Sequence, residues 1–305
     1  MQLHIAIDGY WLDREITFSP ATVTRYNRVF DRLQEFLGDV QVEDISSKDI
    51  KKFFRHLHHN TDLGDRTIYD HYAVLSSFWT WAAEELEIEH ALKGKVEKPR
   101  FTKRKIEPVP MADVKKLLRA CEYTAAWKGK PRSRTKRATG KRDRAIILVL
   151  VDCGLRVQEL CDLTFADYDQ KRGRLHIKHG KGDKERFVFA GNKTKKAIWR
   201  YLATRSNVRP KSPLFSAKSG NKLQRDNVRH MIEGAAKRAG IGHVHPHKLR
   251  HTFAIEFLRA GGNLFELKEI LGHERLDMVL HYAELAETDI ENAARHNSPA
   301  DRHNL

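Results

Sequence analysis

The chain has 305 residues, 40% hydrophobic and 31% charged, which suits a soluble protein with room for two globular domains. No apolar run approaches the ~20 residues of a membrane span, and the leading MQLHIAIDGYW lacks a signal-peptide layout. Three cysteines, Cys121, Cys153 and Cys161, form no C-x-x-C pair and argue against a disulfide framework, so small buried hydrophobes in a reducing, cytoplasmic setting are expected.

The net charge of +16 points to a polyanionic partner, and its distribution says more. Residues 1–98 carry 12 Lys and Arg against 17 Asp and Glu, residues 99–144 carry 16 against 4, and residues 145–305 carry 28 against 19. The basic character lies in the second two-thirds and peaks at the junction. An N-terminal domain that touches DNA must use a basic face masked in this tally by acidic ones.

In chain order, residues 1–18 carry no legible element. From Ser19-Pro20 a helix places Val23, Tyr26, Phe30, Leu33 and Leu37 on one face and stops at Gly38. Ser46 and Asp49 form a capping-box start for Ile50, Phe53, Phe54 and Leu57. Asp65-Arg66 opens a long helix with Ile68, Tyr72, Leu75, Phe78, Trp79 and Ala82, aromatics at core spacing and therefore packing residues rather than base-stacking platforms. Residues 1–97 thus read as an all-α domain. Residues 98–110, KPRFTKRKIEPVP, are basic and Pro-bracketed, the best linker candidate, and residues 111–305 form the second domain. That domain opens with a helix from Met111 to Cys121. Residues 124–144 are too rich in Lys, Arg, Gly and Ser to pack, so a mobile loop that contacts phosphates is expected. Its Arg132, Arg134, Lys136 and Arg137, with Lys103, Arg104 and Lys105 of the linker, are the candidate nucleic-acid contacts.

An apolar helix follows over 145–152 and breaks at Gly154, and Arg156 begins the next helix, VQELCDL. Residues 174–178 and 186–189 alternate as two short strands around the glycine-rich turn HGKGDK at 179–184. Helices are expected over 193–205 and 225–239. Pro246 suits a first helical position, and His247 and Arg250, at i and i+3, then share one helix face. Gly261-Gly262 ends that helix, and a further one from Leu264 to Leu271 stops at Gly272, which leaves His273 in a turn. Tyr282 lies in RLDMVLHYAEL, where spacing alone favours a core role. The fold class is therefore mainly α with a small antiparallel sheet.

H-x-L-R-H at 247–251, L-G-H at 271–273 and a Tyr nine residues later resemble the C-terminal half of the tyrosine recombinases, the Xer-like and lambda-integrase enzymes. CGLRVQEL at 153–160 is similar to that family's first arginine box, and HGKGDKERFVF at 179–189 to its hairpin lysine. The likeness extends over roughly residues 15 to 290. It implies a core-binding SAM-like N-terminal domain and a catalytic domain that close on double-stranded DNA. Arg156, Lys181, His247, Arg250, His273 and Tyr282 would be catalytic, with His247 contacting the phosphate and accepting the nucleophile's proton, and Glu159 orienting Arg156. Tyr282 would form a 3′-phosphotyrosine link during site-specific recombination or integration, without ATP, metal or other cofactor. A homo-tetramer on paired DNA sites, associated with the nucleoid, is implied as well. A type IB topoisomerase-like strand relaxation and a catalytically silent DNA-binding relative are the alternatives. A zinc site on His243, His245, His247 and His251 is disfavoured, because no Cys or carboxylate lies at ligand spacing.

Overall fold

The computed structural model describes all residues except 39, 103–105, 125–134, 179–184, 287–297 and 304–305. The chain divides into two units, Met1–Lys105 and Ile106–Leu305.

The first unit is a helical bundle: α1 (Leu3–Arg14), α2 (Pro20–Leu37), α3 (Ser47–Asn60) and α4 (Asp65–Glu85). Ser19 caps α2 with its hydroxyl on the Thr22 amide, and Pro20 occupies the first turn, where a missing N–H costs nothing. The Ser46–Asp49 capping box opens α3 as the sequence predicts. Helix α1 is not legible from sequence. It buries Leu3, Ala6, Ile7 and Tyr10, and the Tyr10 ring packs against Phe30, Phe78 and Trp81. Apolar residues lie outside this stripe as well, with Ile5 and Leu12 pointing to solvent, so the periodic signal is diluted. The predicted aromatics Phe30, Phe53, Phe78 and Trp79 are all buried core.

The second unit opens earlier than expected, because Ile106 and Val109 already pack in its core and the Val109 amide donates to Thr252 Oγ1 at 2.8 Å. Helix α5 (Met111–Glu122) and helix α6 (Gly140–Cys153) follow. Helix α6 therefore takes in Gly140–Arg144, which the sequence places in a basic loop. The cause is Asp143, fully buried and paired with Arg142 at 2.8 Å and Arg137 at 3.0 Å. Part of the local positive charge neutralises this carboxylate, an arrangement invisible to composition. After α7 (Val157–Asp162), strands β1 (Tyr168–Asp169), β2 (Arg174–Ile177) and β3 (Arg186–Phe189) form an antiparallel sheet in that order. Strand β1, two residues long, offers no alternation to read. Leu175 opposite Val188 faces the core, and His176 stacks on Phe187 on the other face. Helices α8 (Asn192–Leu202), α9 (Arg225–Ala239), α10 (Pro246–Arg259), α11 (Leu264–Leu271) and α12 (Asp277–Ala286) complete the core. All three cysteines are free and buried, and burial raises each thiol pKa. No helix among the described residues is long and apolar enough to cross a membrane.

Candidate active site

Four elements of the second unit bring the candidate residues together: the α6–α7 turn, β3, α10, and the α11–α12 segment. Gly154 closes α6 at φ +63°, and a Cβ there would lie 2.4 Å from Phe253 of α10 and 2.9 Å from Leu271 of α11. Glycine is thus required twice, for the left-handed turn and for the approach of three elements. Arg156, two residues on, is the N-cap of α7, and its amide donates to Glu159 Oε2 at 2.8 Å.

Glu159 is the hub. It is 5% exposed, accepts from Arg156 Nη1 at 2.9 Å, and takes a two-pronged contact from Arg186 at 2.9 and 2.8 Å. Arg250 Nη1 lies 3.9 Å away. Burial opposes the carboxylate's charge, but Arg186, the Arg156 amide and the Arg156 charge outweigh it and hold its pKa below the ordinary range. The Arg156–Glu159 pair is therefore no exposed i,i+3 contact of a few tenths of a kcal/mol. It belongs to a desolvated cluster in which removal of one member strands the others.

Pro246 starts α10, and His245 caps it by accepting the Lys248 amide on Nδ1 at 3.3 Å, a structural use of one of the four neighbouring histidines. Arg250 is 1% exposed and donates to Gly154 O at 2.7 Å, Leu271 O at 2.8 Å and His273 Nε2 at 2.9 Å. Burial and the neighbouring Arg156 push its pKa down to about 10, which leaves it cationic at neutral pH. Gly272, at φ +63°, turns the chain after α11 so that His273 reaches Arg250, while Arg156 Nη2 donates to Gly272 O at 3.2 Å. Burial and then the charges of Arg250 and Arg156 lower His273 to about 4. His247 is lowered too, by burial and Arg250. Among the described residues, two buried donors beside this cluster have no hydrogen-bond partner: Arg250 Nε and His273 Nδ1.

Tyr282 is 4% exposed on α12, with its ring 6.5 Å from that of His273. Its hydroxyl lies 2.7 Å from His251 Nδ1. Two nearby arginines would be expected to dominate the phenol's ionisation. They do lower its pKa, but burial acts more strongly and the net shift is upward. The field of Arg250 and Arg156 reaches Tyr282 without overcoming desolvation.

The fold thus gathers Arg156, Glu159, His247, Arg250, His273 and Tyr282. Lys181, Lys103, Arg104, Lys105, Arg132 and Arg134 lie outside the described residues. Arg137 donates to Cys121 O at 3.1 Å and pairs with buried Asp143, contacts that tie it to the fold. Two residues of the site, His251 and Arg186, escape a reading of the sequence. His251 is visible there as the last letter of H-x-L-R-H, one turn after His247, and Arg186 stands in the hairpin motif as a strand residue. Neither position advertises its partner, because both partners lie far along the chain. Among the described residues no group of His, Cys, Asp and Glu is arranged to hold a metal.

A second positive feature lies between α5, α6 and α8. A cavity of about 630 Å³ is lined by Lys115, Lys136, Lys141, Lys193, Lys196 and Arg200, all exposed. None of the six has a carboxylate within ion-pair distance among the described residues.

Residues 109–289 match the model of the phage integrase family, and residues 3–96 match the phage integrase SAM-like domain. The chain is 29% identical to the tyrosine recombinase XerC of Oceanobacillus iheyensis, over 98% of this chain and 97% of that protein. It is 30% identical to the tyrosine recombinase XerD of Pseudomonas putida, over 96% and 95% respectively. In fold it resembles the Tn1549 transposon integrase solved with transposon right-end DNA, at TM-score 0.75, 19% identity and full coverage of both chains. A lambda integrase dimer bound to a core site aligns at TM-score 0.74 and 17% identity, covering 95% of this chain and 96% of that one. The paired arginines, the imidazoles and the buried phenol stand within the segment matched by the first of these models, and the chain belongs to the phage integrase family, as an Xer-like tyrosine recombinase of the lambda-integrase superfamily.

Proposed function

We propose that this chain cleaves and rejoins duplex DNA at specific sites, with Tyr282 as nucleophile. The observation that carries the reading is the placement of the Tyr282 hydroxyl in one buried cluster with Arg250 and His273, whose Arg250 Nε and His273 Nδ1 donors lack partners among the described residues. In-line attack on a phosphodiester builds negative charge on the non-bridging oxygens. Planar, permanently charged guanidiniums and neutral imidazole N–H groups suit that charge. Arg156 and Arg250 neutralise it, His247 and His273 add hydrogen bonds, and Glu159 orients Arg156. Attack by Tyr282 leaves a 3′-phosphotyrosine, and a 5′-hydroxyl from a partner strand reverses the step. Lys181 protonates the departing 5′-oxygen, a poor leaving group as an alkoxide. Similarity to XerC and XerD along nearly the whole chain supports recombination over topoisomerase-like relaxation or a silent DNA-binding role.

The six cations of the α5–α6–α8 groove, unpaired among the described residues, contact DNA phosphates, and the exposed Lys48, Lys51 and Arg55 of α3 are the basic face of the first unit, the core-binding domain. The chain acts as a tetramer on paired sites in the cytoplasm, at the nucleoid.

Tyr282→Phe tests the reading. It removes one hydroxyl, so DNA affinity should hold while SDS-resistant protein–DNA adducts disappear; an adduct formed by this variant would move the nucleophile elsewhere. As a second arm, Lys181→Ala should recover on DNA whose 5′-bridging oxygen is sulfur, because a thiolate leaves without a proton. Equal slowness on both substrates would deny Lys181 the acid role.

A further inference from the structure

Tyr282 must lose a proton to attack phosphorus, and the family resemblance gives that proton to His247. The geometry differs. Tyr282 Oη is 2.7 Å from Nδ1 of His251, with the two rings 5.5 Å apart and inclined at 49°. Among the described residues His247 makes no hydrogen bond to the phenol; its ring packs edge-on against His251 at 4.4 Å. His251 lies one turn beyond His247 on α10, on the face that α12 covers, so the contact is set by two packed helices.

We propose that His251 is a catalytic residue that accepts the Tyr282 proton as the phenolic oxygen attacks, and returns it when the strand is rejoined. The inference rests on the recombinase reading above and departs from the base that the resemblance implies. In the forward step the Tyr282 O–H bond breaks and its proton passes to His251 Nδ1. The oxygen's electron pair forms the bond to phosphorus, the bond from phosphorus to the 5′-oxygen breaks, and that oxygen takes a proton from the general acid, Lys181. In reverse, the incoming 5′-hydroxyl gives its proton to Lys181 and His251 hands its own back to the departing phenol. The second nitrogen, Nε2, keeps its hydrogen throughout.

The surroundings fit this role. Burial, then His247, His245, Arg250 and His281, depress the His251 imidazole to about 3, so at neutral pH it is uncharged and Nδ1 offers a lone pair to the phenol. Such an imidazole is a weak base in the resting protein. A DNA phosphate entering beside Arg250 adds an opposite charge that favours imidazolium, raising its basicity when substrate is present. Until then the weak base leaves the proton on the phenol, which restrains Tyr282 from reacting without DNA.

The test uses the full chain and nicked duplexes selected from a random-sequence pool by adduct formation with the unaltered protein. His251→Asn places an acceptor oxygen near the position of Nδ1 but takes up no proton, so it separates hydrogen bonding from base catalysis. Adduct formation at neutral pH should fall about 10²-fold or more, as expected when a general base is lost, while DNA affinity stays within a factor of about two of the unaltered protein. Replacing Tyr282 by 2,3,5-trifluorotyrosine, whose phenol ionises at lower pH, should restore most of that rate in His251→Asn and none in His247→Asn. His251→Gln provides the same comparison if His251→Asn binds DNA poorly. A His251→Asn chain that reacts at the unaltered rate, or stays equally slow with the acidified phenol, would overturn the proposal. Failure of the unaltered protein to form any adduct would instead overturn the recombinase reading, and this inference with it.

Discussion

The first unit surrounds Trp79, Phe78, Phe30 and Tyr10 with one another, and His71 is its one buried ionisable side chain outside the tyrosines among the described residues. That imidazole is satisfied locally, against Thr67 O at 2.8 Å, and burial keeps it neutral. The second unit buries Asp143, Glu159, Asp167, Arg250 and His273 among its aliphatic residues. A desolvated charge stabilises a fold poorly, because the Coulombic gain must first offset the loss of hydration. The second unit therefore carries a cost that the first avoids, and the buried charge of Arg250 acts on the phenol. What distinguishes a scaffold from a reactive centre here is where polar groups are kept from water.

The sharpest way to break this contrast is to remove the hub. Glu159→Ala leaves Arg156, Arg186 and Arg250 facing one another without their counter-ion. It should destabilise the protein by about 3–5 kcal/mol, read by urea unfolding, and abolish DNA cleavage with it. An effect below about 1 kcal/mol would class the cluster with exposed pairs.

Acid titration should sharpen the comparison with a smaller effect. His251 and His273, folded near 3 and 4, take up protons in the unfolded chain near the ordinary imidazole value of 6.5. Between those limits the unfolded state binds more protons, so stability should fall as pH drops from about 6.5 towards 4. His71, also lowered, adds to the slope with the same sign. Unfolding midpoints across that range check it, and the double variant His251→Asn with His273→Asn should flatten the dependence. A flat profile in the unaltered protein would show that these imidazoles are free to charge.

The smallest effect concerns the surfaces. Replacing Lys193, Lys196 and Arg200 by Ser should lower the log–log salt slope of DNA binding by about 0.9 for each phosphate no longer neutralised, on selected and random DNA alike. The same exchange at Lys51 and Arg55 tests α3 of the first unit. A slope unchanged in either set would return that surface to solvent.

Most helices follow from sequence because their information is local. The Ser19 and Ser46 caps, the apolar spacing of α2 to α4, and the Gly154 and Gly272 stops each act within a few residues of where they are read. The motif residues of the site are legible too, since H-x-L-R-H and L-G-H place His247, Arg250 and His273 at fixed positions on their own elements. What the tertiary structure alone decided is pairing between distant segments. Asp143 drew Arg137 and Arg142 out of an apparent basic loop; Glu159 found Arg186 across 27 residues and Tyr282 found His251 across 31. Charge tallies and periodicity cannot register such contacts, because a side chain's partner, and hence its ionisation, is set by which elements pack together and how much water they exclude.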